Sequence, residues 1–168
     1  MGYFSVELNK KNLYEISFIK GNQTKSAIQQ SFTGNESKNF QIVEDQIHQY
    51  IKGKRKTFNL NKYLMWLLNE DPTNEDSSNQ VTDFQKKVWR ALLSIPYGNC
   101  CSYSDVAKQI GLPTAVRAVA NAIGANPLLM VIPCHRVIRK NGELGGFSAG
   151  LDLKKRLLEL EGTPCSSF

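Results

Sequence analysis

The stretch Ser102-Tyr-Ser-Asp-Val-Ala-Lys-Gln-Ile-Gly-Leu-Pro-Thr-Ala-Val-Arg-Ala-Val-Ala-Asn-Ala-Ile123 decides the fold of the second half of the chain. Ser102 followed by Asp105 reads as a helix start, because a cap side chain accepts a backbone N–H that the first turn leaves unpaired. Val106, Ala107 and Ile110 give that helix an apolar face, Gly111-Leu-Pro113 breaks it, and Thr114 is expected to cap the next helix. Helix, short Gly-containing turn, helix is the pattern of a helix-turn-helix. The second helix, residues 115–123, consists almost wholly of small residues with one charge, Arg117. Two readings of it stay open. It packs in a core, or it lies close against DNA by shape and inserts one side chain, since one Arg and one Asn are too few to read base edges along a groove.

Working upstream, Thr82 with Gln85 makes a capping box, and Phe84, Val88 and Leu92 recur every four residues beside Trp89, so an amphipathic helix ends before Pro96. Residues 69–80 hold no apolar side chain and include a Pro, which marks a linker and places the domain boundary there: 1–79 and 80–168. Before the linker, Phe4, Val6 and Leu8 alternate, as do Tyr14, Ile16 and Phe18, the period of two paired, half-buried strands. From Asn39 the period becomes helical, with Phe40, Val43, Ile47, Tyr50 and Ile51 on one face and Gly53 as the stop. The fold class is therefore α/β: a small strand-helix domain followed by a mainly helical domain.

The chain has 168 residues, 41% hydrophobic and 21% charged, enough to bury a core and too short for more than one or two domains. No apolar run approaches the ~18 residues of a membrane span, and residues 1–11 hold no apolar signal core, so a soluble, cytoplasmic (or, in a eukaryote, nuclear) protein is expected. The net charge of +6 is uneven: residues 1–80 hold 10 Lys/Arg against 9 Asp/Glu, residues 81–168 hold 11 against 6. The basic half suits a phosphate backbone, though charge alone does not establish it. Cys100, Cys101, Cys134 and Cys165 form no metal-binding pair, and each reads first as a free, small buried hydrophobe in a reducing compartment.

One cysteine departs from that. In Pro133-Cys-His-Arg-Val137, Cys134 precedes the only histidine of its half, and a thiolate needs a base to form at neutral pH. Adjacent residues do not face one another on a helix or a strand, so a bridging water suits the pair better than direct contact. The pair alone is equally a buried Cys beside a hydrogen-bonded His.

The motif has flanks. Preceded by Arg117-Ala-Val-Ala120 and Ala125-Asn-Pro127, and followed by Gly145-Gly-Phe-Ser148 and Glu159-Leu-Glu-Gly162, it resembles the DNA alkyltransferases that repair O6-alkylguanine, in unbroken order over residues 82–162. The resemblance implies a ribonuclease H-like amino-terminal domain ahead of the helix-turn-helix domain. It implies irreversible, single-turnover transfer of the alkyl group from O6-alkylguanine in duplex DNA to Cys134 after base flipping, with O4-alkylthymine as a further possible substrate. His135 is then the base acting through water, Glu161 orients the imidazole, and Asn126 ties the turn to the DNA-binding helices. Tyr103 hydrogen-bonds the leaving guanine. Gly145, Phe147, Ser148 and the backbone near Val137 contact the base. Arg117 fills the gap left by the flipped nucleotide, beside Thr114, Ala115 and Ala118 at the DNA. No cofactor is implied, and the expected partner is alkylated duplex DNA bound by a monomer, with no membrane.

Phe147 stands where many relatives have an aromatic hydroxyl, keeping the ring and losing the polar tip. Some relatives hold a structural zinc in the first domain, but residues 1–80 contain no Cys and only His48 and so offer too few ligands. The closest rival is a non-catalytic helix-turn-helix protein that recognises alkylated bases, which would have no use for Cys134. A cysteine hydrolase is weaker still, for no acyl-enzyme signature surrounds the thiol.

Overall fold

In a computed structural model of the chain, residues 2–8, 13–20, 35–64, 67 and 81–164 are described. Strands β1 (Gly2–Leu8) and β2 (Leu13–Lys20) pair antiparallel, with Val6 opposite Ile16 and Phe4 opposite Phe18 as the alternation predicts. A register irregularity at Glu7/Leu8 then brings Leu13, not Tyr14, opposite Leu8, and Leu13 is fully buried. Helix α1 (Asn35–Ile51) starts a turn earlier than its apolar stripe. It buries Val43, Ile47 and Tyr50. Ile51 falls outside this face and is 39% exposed, because the core-facing stripe follows 43, 47 and 50 and the helix stops there. Gly53 at φ +69° makes the stop: its N–H reaches the Tyr50 carbonyl and the Lys54 N–H reaches that of Gln49, the paired bonds of a Schellman cap. The predicted linker, residues 69–80, lies outside the described residues.

Helix α2 (Asp83–Leu93) begins at the expected box, with the Gln85 N–H donating to Thr82 Oγ1 and the Thr82 N–H to Gln85 Oε1. It buries Val88, Trp89 and Leu92. Strand β3 (Cys101–Ser102) pairs parallel with β4 (Val137–Ile138), laying Cys101 beside Val137. Ser102 caps α3 (Tyr103–Gln109) together with Asp105, again as predicted. Thr114 does not cap α4 (Val116–Gly124); the cap position is Ala115, with no side-chain bond. The Ala115 N–H closes a turn onto the Leu112 carbonyl, with Pro113 and Thr114 at its two central positions, and so delays the helix by one residue. Helix α5 (Leu151–Leu160) completes the described elements.

Both halves contribute to one hydrophobic core. Trp89 Nε1 ties α2 to α4 by donating to the Ala122 carbonyl at 2.8 Å. The N-terminal sheet reaches the second half through backbone: Ile16 N–H donates to Pro127 O (2.8 Å) and Ile16 O accepts from Leu129 N–H (3.2 Å). Strand β2 therefore braces the segment between Asn126 and Cys134. Among the described residues no helix is long and apolar enough to cross a membrane. The fold is mixed α/β, with small sheets and mainly helical packing.

Candidate active site

Cys134 stands at the end of an unusual run of backbone. Met130 has φ +68°, a left-handed conformation costly for a side chain with a Cβ, and Val131 N–H bonds back to Leu129 O across it. Pro133, at φ −80° and ψ 60°, forms an inverse γ-turn in which Cys134 N–H reaches Ile132 O at 2.8 Å. The pyrrolidine ring fixes that φ, so the sequence Pro-Cys aims the thiol. A 3-10 turn, Cys134–Arg136, then sends Cys134, His135 and Arg136 in different directions, all three buried.

Asn126 holds the turn. Its Oδ1 accepts from Leu128 N–H (3.0 Å), and its Nδ2 donates to Ile132 O and to Cys134 Sγ, both at 2.9 Å. Asn126 was expected to tie the turn to the DNA-binding helices; its side-chain bonds instead stay within the segment 126–134 and reach the sulfur itself. Burial pushes the Cys134 thiol up to about 11, opposed by the Asn126 hydrogen bond and by the charge of Lys154. At neutral pH the sulfur keeps its proton until a base removes it.

His135 and Glu161 form a buried pair next in the chain to the thiol and at the end of α5. His135 is fully buried, and its Nε2 lies 2.9 Å from Glu161 Oε1. Burial lowers the His135 pKa below the usual imidazole value, with Glu161 pulling the other way, so the ring is neutral at neutral pH. Nδ1 makes no hydrogen bond to the protein. Glu161 sits at the C-terminal cap of α5, where Leu157, Leu158 and Glu161 all face inward. Burial alone would raise its pKa, yet hydrogen bonds from His135, Arg136 and Tyr50 hold it down at about 2. Arg136 donates to it from Nε (3.0 Å) and Nη2 (2.9 Å) and spends Nη1 on Ile95 O (2.6 Å); Gly98 N–H adds a bond at 3.0 Å.

Three of these neighbours carried no assigned role in the sequence reading. Arg136 lay in the quoted motif, and a buried Arg beside His135 needs a carboxylate, which Glu161 supplies. Lys154 lies three, four and seven residues before Leu157, Leu158 and Glu161, a charge in the apolar stripe of α5. It is fully buried, and its Nζ donates to the carbonyls of Val137 (2.6 Å), Gly146 (3.4 Å) and Leu144. Burial lowers its pKa to about 8, which leaves it a cation at neutral pH beside Cys134. Tyr50 comes from α1, and its hydroxyl donates to Glu161 Oε1 and lies 3.2 Å from His135 Nε2. Nothing in the local sequence marks it beyond its place on a core face.

In front of Cys134 is a cavity of about 640 Å³, a volume suited to a small ligand. Tyr103, Gly145, Phe147 and Ser148 line it with Cys134, as do Arg117 and Asn121 of α4. Tyr103 OH donates weakly to Gly146 O at 3.4 Å, and burial raises its pKa, with Cys134 adding to the effect. Gly145 has φ +67°, and a Cβ there would lie 2.8 Å from Tyr103 Oη, so glycine is required for the tyrosine to stand where it does. Val137 is not on the cavity wall: it is fully buried with its carbonyl bound by Lys154. Arg117 and Ala118 are exposed on α4, as is Thr114 in the turn before it; Ala115 is half-buried, and Val119, Ala122 and Ile123 face the core. The small-residue helix thus packs on one face and leaves the other exposed. Among the described residues no cluster of His, Cys, Asp or Glu is placed to hold a metal. Cys101 is a free thiol pushed up to about 11 by burial, whereas Cys100 is disulfide-bonded, against the expectation of free thiols.

The chain is similar to known proteins in both sequence and fold. The profile of the 6-O-methylguanine DNA methyltransferase DNA-binding domain matches residues 83–163. The inducible methylated-DNA–protein-cysteine methyltransferase of Bacillus subtilis is 48% identical over 116 residues, 69% of this chain and 56% of its own length. The crystal structure of Mycobacterium tuberculosis OGT in complex with DNA superposes with a TM-score of 0.68 at 33% identity, covering 95% of this chain and 86% of that one. The methylated-DNA–protein-cysteine methyltransferase of Methanosarcina acetivorans is 37% identical over 92% of this chain and 88% of its own. With likeness extending through both halves and the Cys134 site built as described, the chain belongs to the 6-O-methylguanine DNA methyltransferase family.

Proposed function

We propose that Cys134 is the alkyl acceptor in direct-reversal repair of DNA. The chain is a methylated-DNA–protein-cysteine methyltransferase that acts on O6-alkylguanine. The observation that supports Cys134 is its position on the cavity wall, next in the chain to His135, whose Nε2 is paired with Glu161 and whose Nδ1 makes no hydrogen bond to the protein. That nitrogen takes the thiol proton through a bridging water, and the Glu161 carboxylate stabilises the imidazolium that forms. The thiolate sulfur attacks the alkyl carbon, the carbon–O6 bond breaks, and the electron pair stays on guanine, where a donor such as Tyr103 OH relieves the charge. A stable thioether remains, so each molecule reacts once. Lys154 favours the thiolate by charge and, through the Leu144 and Gly146 carbonyls, holds the backbone of Gly145 and Gly146, which line the cavity.

The target atom lies inside the duplex, so the nucleotide must leave the stack to reach the cavity. We assign α3 and α4 to a helix-turn-helix, with Arg117 entering the vacated space while Thr114, Ala115 and Ala118 bring the backbone close. Duplex DNA is the partner, bound by a monomer in the cytoplasm. Strands β1 and β2 with α1 are read as part of a ribonuclease H-like domain over 1–79, followed by the acceptor domain over 80–168. Reaction with a duplex carrying one O6-methylguanine tests this reading. Loss of the adduct should stop at one per protein chain, and Cys134→Ala should remove the activity while duplex affinity holds, because binding rests on phosphates and α4. Continued turnover, or activity in Cys134→Ala, would refute it.

A further inference from the structure

Glu161 Oε1 is shared. It accepts from His135 Nε2 and from Arg136, both in the second half, and from the hydroxyl of Tyr50, which α1 delivers from the first. Tyr50 is fully buried, its ring against Phe58 (5.1 Å between centroids) and edge-on to Tyr97 (6.1 Å). Core packing accounts for the ring. It does not account for the hydroxyl, which an all-apolar core would omit because an unpaired buried O–H is costly. The hydroxyl lies against the two residues assigned to the proton relay, donating to Glu161 and standing 3.2 Å from His135 Nε2.

We propose that Tyr50 is a positioning residue for the acceptor's base: its hydroxyl competes with the His135 ring for Glu161 Oε1, fixing the carboxylate and keeping the imidazole in its neutral, proton-accepting form. The inference rests on the assignment of His135 as base. A carboxylate oxygen that already accepts an O–H attracts an imidazolium less strongly, so the ring is easier to keep neutral. The other charges acting on the ring are Arg136, beside it on the same turn, and Lys154 on α5, both cations that oppose its protonation; Glu161 is the anion that favours it. Tyr97 and Cys134 are neutral in the relevant range, their pKa values being raised by burial. Tyr50 thus acts with the cations although it carries no charge. Through it, the first half of the chain reaches the chemistry of the second.

Tyr50→Phe deletes the hydroxyl and keeps the ring. The expected result is a methyl-transfer rate about tenfold lower at pH 7, a fraction of what a well-placed general base supplies. The acid limb of the rate profile should move to higher pH, and so should the His135 titration followed by NMR, which is readily assigned because the chain has two histidines and His48 is exposed. A purely structural role would lower thermal stability and move neither midpoint, and unchanged midpoints would overturn the proposal. If the variant fails to fold, the wild-type protein still decides: the Tyr50 hydroxyl proton should appear far downfield and shift with the His135 midpoint, and a hydroxyl signal indifferent to that titration is the contrary result. Failure of the acceptor assignment looks different, because wild-type protein would then gain no methyl group whatever the histidine does.

Discussion

Gly145→Ala is a one-carbon change whose consequence can be worked out from the structure. The backbone there has φ +67°, where a Cβ costs ~1–2 kcal/mol. The new methyl would also stand 2.8 Å from Tyr103 Oη and 2.9 Å from its Cε2, too close to coexist. Ordinary carbon contacts begin near ~3.5 Å, so the ring must retreat by roughly 0.5 Å. Tyr103 is the donor assigned to the leaving guanine, and displacement of such a group by ~1 Å can cost ~100-fold. We expect single-turnover transfer to slow by about tenfold to 100-fold, with loss of stability near the strain cost. Gly146→Ala is the internal control for stability: a Cβ there meets nothing within 4 Å and the backbone is not left-handed, so its melting should stay near wild type, and any change in its rate reads the space taken from the cavity that Gly146 lines. The assay is quenched-flow transfer from an O6-methylguanine duplex at saturating protein, with thermal melting alongside. A Gly145→Ala protein that is folded and transfers at the wild-type rate would refute the placement of Tyr103.

Arg136→Met removes the bonds from Nε and Nη2 to Glu161 and leaves a buried carboxylate short of partners, so unfolding in denaturant should show a loss of ~3–5 kcal/mol. Transfer requires neutral His135, so its rate should fall at acid pH with a midpoint below the usual imidazole value of 6.5, because burial lowers that pKa; a midpoint above 6.5 would contradict the burial argument. Glu161 is depressed from 4.5 to about 2 in the folded state, so its contribution to stability is complete above pH 4.5 and disappears as the pH falls toward 2, which denaturation at pH 6 and pH 3 will reveal. Arg117→Ala should slow repair in duplex far more than reaction with free O6-methylguanine base, which needs no flipping; equal slowing of both would remove the intercalating role.

Much of this was legible from local sequence because its causes are local. Thr82 with Gln85 and Ser102 with Asp105 make their capping boxes within four residues, and the stripe Val88, Leu92 turns inward with α2. Thr114 was misjudged for a local reason too: Pro113 builds a turn that competes with the cap. The motif around Cys134 drew attention to the thiol and to His135 through resemblance, and Asn126 and Glu161, named in the same reading, are hydrogen-bonded to Cys134 and to His135 respectively. What the residues could not announce are contacts made by distant segments. Tyr50 meets His135 across 85 positions and Glu161 across 111, and on its own helix it is one more core aromatic. Lys154 becomes intelligible only when the carbonyls of Val137, Leu144 and Gly146 converge on it.

The central claim is that the alkyl group ends on Cys134. After reaction with duplex O6-methylguanine DNA, tandem mass spectrometry of the digested protein should place a single methyl on the peptide containing Pro133-Cys-His-Arg136, on the sulfur, with Cys100, Cys101 and Cys165 unmodified. A methyl found on any of those three, or an unmodified protein after the DNA adduct has disappeared, would contradict the account.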